Sequence, residues 1–251
     1  MIKLFHYKLF ITIGFILLAM GVCGQQNFFN VPSFEITAKK KFFVQEQLNL
    51  NQIFQSNLTV DYGLGNNFQI GFNLLGVNFA DTKIKFPFNQ PTDKDIFEPL
   101  LLANAQKTFE LSKYFNLSIG INQGINIDGA TEITKYAQFD YVLAGSKFWD
   151  DNIVLVYGVY YGNDQYFLKS AALGMMAGAD INLYKNKIHF VGDWISGSTP
   201  ASVAVLGFSY FVTPSFPISF GWQIPNTAQN SSAVVLEFTW NPSLVVEKKE
   251  Q

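Results

Sequence analysis

Residues 56–73 read SNLTVDYGLGNNFQIGFN, and this stretch decides the fold. In steps of two it separates into an apolar and a polar set on either side of a turn at 65–67. Side chains alternate across a strand, so the pattern predicts a β-hairpin with one apolar and one polar face. Gly and Asn tolerate the left-handed backbone of a tight hairpin turn. The apolar set is Leu58, Val60, Tyr62, Leu64, Phe68, Ile70 and Phe72, and the polar set includes Asn57, Thr59, Asp61, Gln69 and Asn73.

The same alternation recurs along the chain, and no capped segment with a sustained helical period follows residue 40. We predict an all-β fold, an antiparallel transmembrane β-barrel of about twelve strands with up-and-down topology. Short connections alternate with other ones, of which 79–97 is the longest, as expected for tight periplasmic turns and looser external loops. The predicted strands are 40–50, 55–64, 67–78, 98–111, 115–126, 132–146, 152–162, 166–183, 187–196, 201–212, 216–225 and 231–240.

The composition of the 251-residue chain is apolar and poor in charge. Hydrophobic residues make up 49% and charged residues 14%, whereas soluble domains carry about 25% charged residues. All 17 basic residues are lysines and the formal net charge is −2, so the charge balance does not indicate a nucleic-acid partner.

Residues 1–24 have the layout of a secretory signal peptide. Lys3 and Lys8 precede an apolar run at 9–20, and small residues follow before Gln25. We predict cleavage after residue 24; the alternatives are a retained anchor helix and lipidation at Cys23. Cleavage removes two lysines, leaving a charge of 15 − 19 = −4, and the only cysteine, so the exported chain forms no disulfide. We assign 25–39 to a periplasmic N-terminal segment, 40–240 to the barrel and 241–251 to a periplasmic tail.

Aromatic residues cluster beside the short turns. Amphipathic rings favour the membrane interface, so these clusters predict a girdle at one membrane level and a second set at the other. The alternative is that they are ordinary core aromatics near strand ends. The first set is Tyr62, Phe68, Tyr114, Phe115, Phe148, Trp149, Tyr184, Phe211, Phe216 and Trp240; the second is Tyr160, Tyr161, Tyr166, Trp194 and Trp222.

The polar faces of the predicted strands are rich in amides and sparse in charge. In a membrane barrel the apolar faces meet lipid and these polar faces line the lumen. A soluble lipocalin-like barrel or a sandwich is the alternative, but such a protein would place dense charge outside. The predicted lumen residues are Asn57, Thr59, Asp61, Gln69, Asn73, Gln106, Glu110, Gln138, Asp140, His189, Asp193 and Glu237.

The run 62–73, YGLGNNFQIGFN, resembles a hairpin common in small outer-membrane barrels of Gram-negative bacteria. The chain is similar to the outer-membrane proteins grouped with the meta-pathway of phenol degradation. The last predicted strand, which ends at Trp240, resembles the recognition signal of bacterial outer-membrane barrels, although a tail follows it. The resemblance implies an outer-membrane location, insertion by the barrel-assembly machinery, and passage of small, often hydrophobic, molecules.

The residues offer little for catalysis. His189 is the only histidine after residue 24 and shares a predicted face with Asp193, a pair that could orient a nucleophile. Twelve-stranded outer-membrane phospholipases place a Ser two residues from the His, but Val191 stands there in this chain. A lone His without Cys does not build a typical zinc site.

We therefore predict a passive channel or transporter for small solutes, including hydrophobic ones. Its partners are outer-membrane lipid and the solute, with no cofactor, metal or nucleic acid. The alternatives are a structural or surface-interaction barrel without transport and, third, an outer-membrane lipid-modifying enzyme.

Overall fold

The computed structural model describes residues 27–51, 53–81, 99–127, 135–167, 171–228 and 231–243. The predicted signal peptide, most of the long connection 79–97 and the end of the C-terminal tail lie outside these ranges.

Twelve antiparallel strands form a closed barrel, in which each strand pairs with its neighbours in sequence and β1 closes on β12. The predicted all-β, up-and-down architecture and its strand count are confirmed. The strands are β1 (Phe42–Leu50), β2 (Ile53–Gly65), β3 (Phe68–Asp81), β4 (Leu100–Ser112), β5 (Phe115–Asn126), β6 (Tyr136–Phe148), β7 (Ile153–Gly162), β8 (Ala172–Tyr184), β9 (Ile188–Ile195), β10 (Val203–Thr213), β11 (Phe216–Pro225) and β12 (Ala233–Trp240).

The predicted hairpin of β2 and β3 forms, and its register shifts between Ser56 and Leu58 and between Gly63 and Gly65. Val60 lies opposite Phe72, and Asp61 lies opposite Gly71. Asn66 and Asn67 both have a φ of 53°, the left-handed pair of a tight hairpin turn. This turn and those at 113–114, 149–152, 185–187 and 214–215 share one end of the barrel, here called the turn end; the opposite end is the loop end.

The connection between β7 and β8 differs from the prediction of a strand over 166–183. A single helical turn, α1 (Asp164–Phe167), precedes β8. The Asn163 side-chain oxygen accepts the backbone N–H of Tyr166 at 3.0 Å, as an N-cap residue does. The turn directs Phe167 into the core, where it is fully buried. No helix in the described ranges is long and apolar enough to cross a membrane.

The outer face of the barrel is apolar over most of its area. Among strand residues with described side chains, its acidic and basic members are Glu46, Lys107 and Asp140. Two aromatic residues predicted for the girdles, Tyr160 and Phe211, face inward and are buried. Large apolar side chains exposed on the strands include Phe42, Leu64, Ile70, Phe72, Leu101, Phe109, Ile119, Ile121, Val142, Tyr157, Val159, Leu173, Met175, Leu206, Phe208, Tyr210, Phe220, Ile224, Phe238 and Trp240.

Candidate functional site in the barrel lumen

The N-terminal segment lies inside the barrel over residues 27–38, which we call the plug. The sequence analysis assigned 25–39 to an extension outside the barrel, whereas the structure buries this part of it. Phe28, Phe29, Val31 and Phe34 are at most 4% exposed. They form one apolar cluster with inward residues of β6–β10 and β12, and this cluster is the main core of the described residues.

Glycines of the barrel wall make room for the plug's aromatic rings. A Cβ placed on Gly145 would lie 1.8 Å from Cδ1 of Phe34. A Cβ on Gly178 would lie 2.7 Å from Cδ2 of Phe28. Both distances are shorter than van der Waals contact, so each ring occupies the space that a larger wall residue would fill.

Two inward side chains hold the plug's backbone near its middle and its end. Asp193 Oδ2 accepts the backbone N–H of Val31 at 2.8 Å and also that of Asn30. Gln69 Oε1 accepts the backbone N–H of Thr37 at 2.8 Å and its hydroxyl at 2.9 Å. The plug is thus bound by side chains that the sequence analysis assigned to the lining of the lumen.

A second pair of wall residues donates to plug carbonyls. Gln106 Nε2 donates to the Ser33 carbonyl at 2.8 Å, and the Thr108 hydroxyl donates to the Phe34 carbonyl at 2.8 Å. Tyr141 donates its hydroxyl to Gln106 Oε1 at 2.7 Å, which fixes the orientation of that amide. These contacts satisfy backbone groups that would otherwise be buried without partners.

The plug leaves the barrel at the turn end, where the chain enters β1. Glu35 forms an ion pair of 3.0 Å with Lys147. The backbone N–H of Ala38 donates to the Ser243 hydroxyl at 2.8 Å, so the start and end of the described chain meet here.

Most predicted lumen residues do face inward, but two do not. Gln138 and Asp140 lie on the outer face, because the inward positions of β6 are taken by Phe139, Tyr141 and Leu143, which belong to the apolar core. Gln138 Nε2 donates to Asp140 Oδ2 at 2.5 Å. Polarity therefore misassigned this strand, since the plug makes its inner face apolar.

Two further predicted lumen residues do not line the cavity that remains inside the barrel. Glu110 is exposed at the turn end and accepts Asn67 Nδ2 at 2.7 Å. Glu237 is fully enclosed and accepts the Ser219 hydroxyl at 3.3 Å. Neither side chain contributes to the cavity described below.

His189 pairs with Asp180 instead of the expected Asp193. The distance from its Nδ1 to Asp180 Oδ1 is 2.6 Å, and its ring lies 4.6 Å from that of Phe211. His189 and the facing Ser209 are at most 1% exposed. These groups lie in the closed part of the lumen, where no substrate reaches them in this conformation.

A cavity of about 240 Å³ remains between the plug, strands β1–β5 and the loop end. Its lining is dominated by side-chain amides and contains one carboxylate, Asp61. The lining residues are Asn27, Phe29, Asn30, Pro32, Gln45, Gln47, Asn49, Asn51, Gln55, Asn57, Thr59, Asp61, Gln69, Asn73, Leu75, Asn104, Ala105, Gln106, Asn122, Tyr141, Tyr166, Ile195, Pro200, Ala201, Val203, Gln223 and Ser231.

The amides of the cavity wall form a ladder across three strands. Asn104 Nδ2 donates to Asn73 Oδ1 at 3.0 Å, and Asn73 Nδ2 donates to Asn122 Oδ1 at 2.7 Å. At the loop end, burial raises the pKa of the Tyr166 phenol, which stays neutral. The wall therefore presents fixed dipoles and few charges.

Within the described residues, no three His, Cys, Asp or Glu side chains gather into a group that could hold a metal ion. No protein-family model matches the chain, and no curated protein matches it.

Proposed function

We propose that this chain is an outer-membrane β-barrel of a Gram-negative bacterium that passes a small solute when its plug is displaced. The observation that carries the proposal is the pairing of an apolar outer face with an amide-lined cavity that ends on the plug. The signal-peptide pattern of residues 1–24 supports export.

The dimensions and the outer face of the barrel support a membrane location. Its strands are 8 to 14 residues long, and a tilted strand needs about 9–11 residues to cross a bilayer. A closed barrel leaves no unpaired strand edge in hydrocarbon. An apolar face of this extent would be costly in water, because burial of apolar area is favoured by about 25 cal/mol per Å².

The acids of the outer face have polar neighbours that lower the cost of a lipid environment. Glu46 accepts the Ser56 hydroxyl, and Asp140 accepts the Gln138 amide. Lys107 lies close to the turn end, donates to the Asn66 carbonyl, and sits 5.7 Å from the ring centroid of Phe109. A lysine at that level reaches the interface with its charged end.

The plug closes the turn-end half of the lumen, so passage requires it to move. It is not a strand of the sheet: the isolated bridges of this part of the chain are Asn27 to Pro32 and Lys39 to Gly63. The plug is held by packing and by side-chain hydrogen bonds, without a covalent link in the described residues. It can therefore leave without breaking the barrel's strand ladders.

Conductance in a planar lipid bilayer tests the proposal. The intact chain should be silent or open rarely, and a variant with 27–38 replaced by a Gly-Ser sequence of equal length should show discrete openings. Glu110→Gln is the matched control, because Glu110 is exposed and does not contact the plug; it should behave as the intact chain.

Silence of the plug-replaced variant would overturn the transport proposal, provided that it still migrates as a folded barrel on an unheated gel. That result would favour a structural or surface-interaction barrel, the second candidate, which the tight packing of the plug also suits. The third, a lipid-modifying enzyme, is disfavoured by the enclosure of His189.

A further inference from the structure

The cavity next to the plug has the chemistry of a binding site for one class of small molecule. We propose that it binds a neutral, hydroxyl-rich compound of about monosaccharide size. This inference rests on the proposed function, because it takes the cavity to be a binding site that the transported solute occupies on its way through the barrel.

Side-chain amides suit hydroxyl groups better than they suit ions or hydrocarbons. Each Asn or Gln offers an acceptor oxygen and two donor N–H groups, and each hydroxyl offers one donor and two acceptor sites. The ladder of Asn104, Asn73 and Asn122 orients these groups before a ligand arrives. An oriented wall lowers the ordering cost of binding.

Asp61 adds a carboxyl group to the wall of the cavity. Its side chain lines the cavity and is 3% exposed. Oδ2 accepts Gln69 Nε2 at 3.3 Å, and Oδ1 is enclosed by the protein. The acceptors that a ligand hydroxyl meets are therefore chiefly the amide oxygens of the wall.

The charge of the wall excludes other ligand classes. Among the described residues that line the cavity there is no Lys or His to attract an anion, and their single carboxyl group is fewer than a dedicated cation site provides. The apolar part, with Phe29, Tyr141 and Val203, accommodates the C–H faces of a sugar or cyclitol ring. The volume of about 240 Å³ is below the range of about 300–1,000 Å³ for drug-sized ligands, so the ligand is small.

Calorimetric titration of the full chain in detergent tests the inference with defined probes. The probes are glucose and myo-inositol as neutral polyols, choline as a cation, gluconate as an anion and toluene as an apolar solute. We expect saturable binding of at least one polyol and none of the other three.

Two variants place the binding in the cavity. Thr59→Phe adds a ring to the cavity and should abolish binding, whereas Val60→Phe, the adjacent outward residue, should leave it unchanged. Asn104→Leu should weaken polyol binding about fivefold or more, because it removes an amide donor and acceptor from the cavity wall. Folding of each variant is checked by its migration on an unheated gel.

Binding of no polyol, tighter binding of another probe, or full binding by Thr59→Phe would each overturn the inference. The outcome is separable from that of the transport proposal. A barrel that conducts after plug replacement but binds no polyol refutes the ligand class alone, and one that binds a polyol but never conducts refutes transport alone.

Discussion

Replacing Asp193 with Ala should unseat the plug without unfolding the barrel. Asp193 is 4% exposed and accepts the backbone N–H groups of Asn30 and Val31. Each buried donor left without a partner costs about 1–3 kcal/mol. Two donors give about 2–6 kcal/mol, which raises the unseated fraction by about 30-fold to about 20,000-fold. Asp193→Asn keeps an acceptor oxygen, so its unseated fraction should be well below that of Asp193→Ala.

Hydrogen exchange followed by mass spectrometry measures this directly. Peptides that contain Asn30 and Val31 should exchange faster in Asp193→Ala by the factor above, while peptides from β12 should keep their protection. Glu110→Gln, which removes an exposed acid that is bonded to the turn residue Asn67, should leave all peptides unchanged. Equal protection of the plug in Asp193→Ala and the intact chain would refute the reasoning that this carboxylate holds it.

Two further variants test the packing and the ion pair of the plug. Gly145→Val places a side chain where the Phe34 ring lies and should destabilise the protein by about 1–3 kcal/mol, seen as a lower thermal midpoint. Ala144 faces outward, so Ala144→Val should change stability by less than about 0.5 kcal/mol. Equal thermal midpoints of Gly145→Val and Ala144→Val would contradict the placement of the Phe34 ring against Gly145. Glu35→Gln breaks the partly exposed pair with Lys147. It should lower the free energy that protects residues 33–36 from hydrogen exchange by only about 0.2–1 kcal/mol. That effect should fade at about 1 M salt; a salt-independent loss would contradict a screened ion pair.

The fold was predictable because its determinants are local. Period-two alternation and turn residues such as Asn66 specify strands and hairpins without knowledge of distant contacts. The hairpin of β2 and β3 follows from residues 56–73, whereas its register shifts, such as the one between Ser56 and Leu58, do not. The helical turn at Asp164–Phe167 was missed because a helix of four residues is too short to show a helical period. Its one sequence signal is the cap residue Asn163.

The site was predictable only where the lumen stays polar. On β2–β5 most inward polar residues are amides and hydroxyls, and polarity identified them, although Leu75, Leu100 and Leu102 also face inward. On β6 the rule failed, because the inward Phe139 packs against other rings of the core while Asp140 lies outside. The missed signal was the segment 28–34, FFNVPSF, which is too apolar and aromatic for a solvated extension.

The most direct test of the central claim is the environment of residues 57–62 in a lipid bilayer. Single spin labels are attached along β2 and their collision rates with oxygen and with a water-soluble nickel chelate are measured. Labels at Leu58, Val60 and Tyr62 should be the more oxygen-accessible, and those at Asn57, Thr59 and Asp61 should be shielded from lipid, with a period of two. A reversed pattern, or equal accessibility of both sets, would contradict a barrel whose apolar face meets lipid around a plugged lumen.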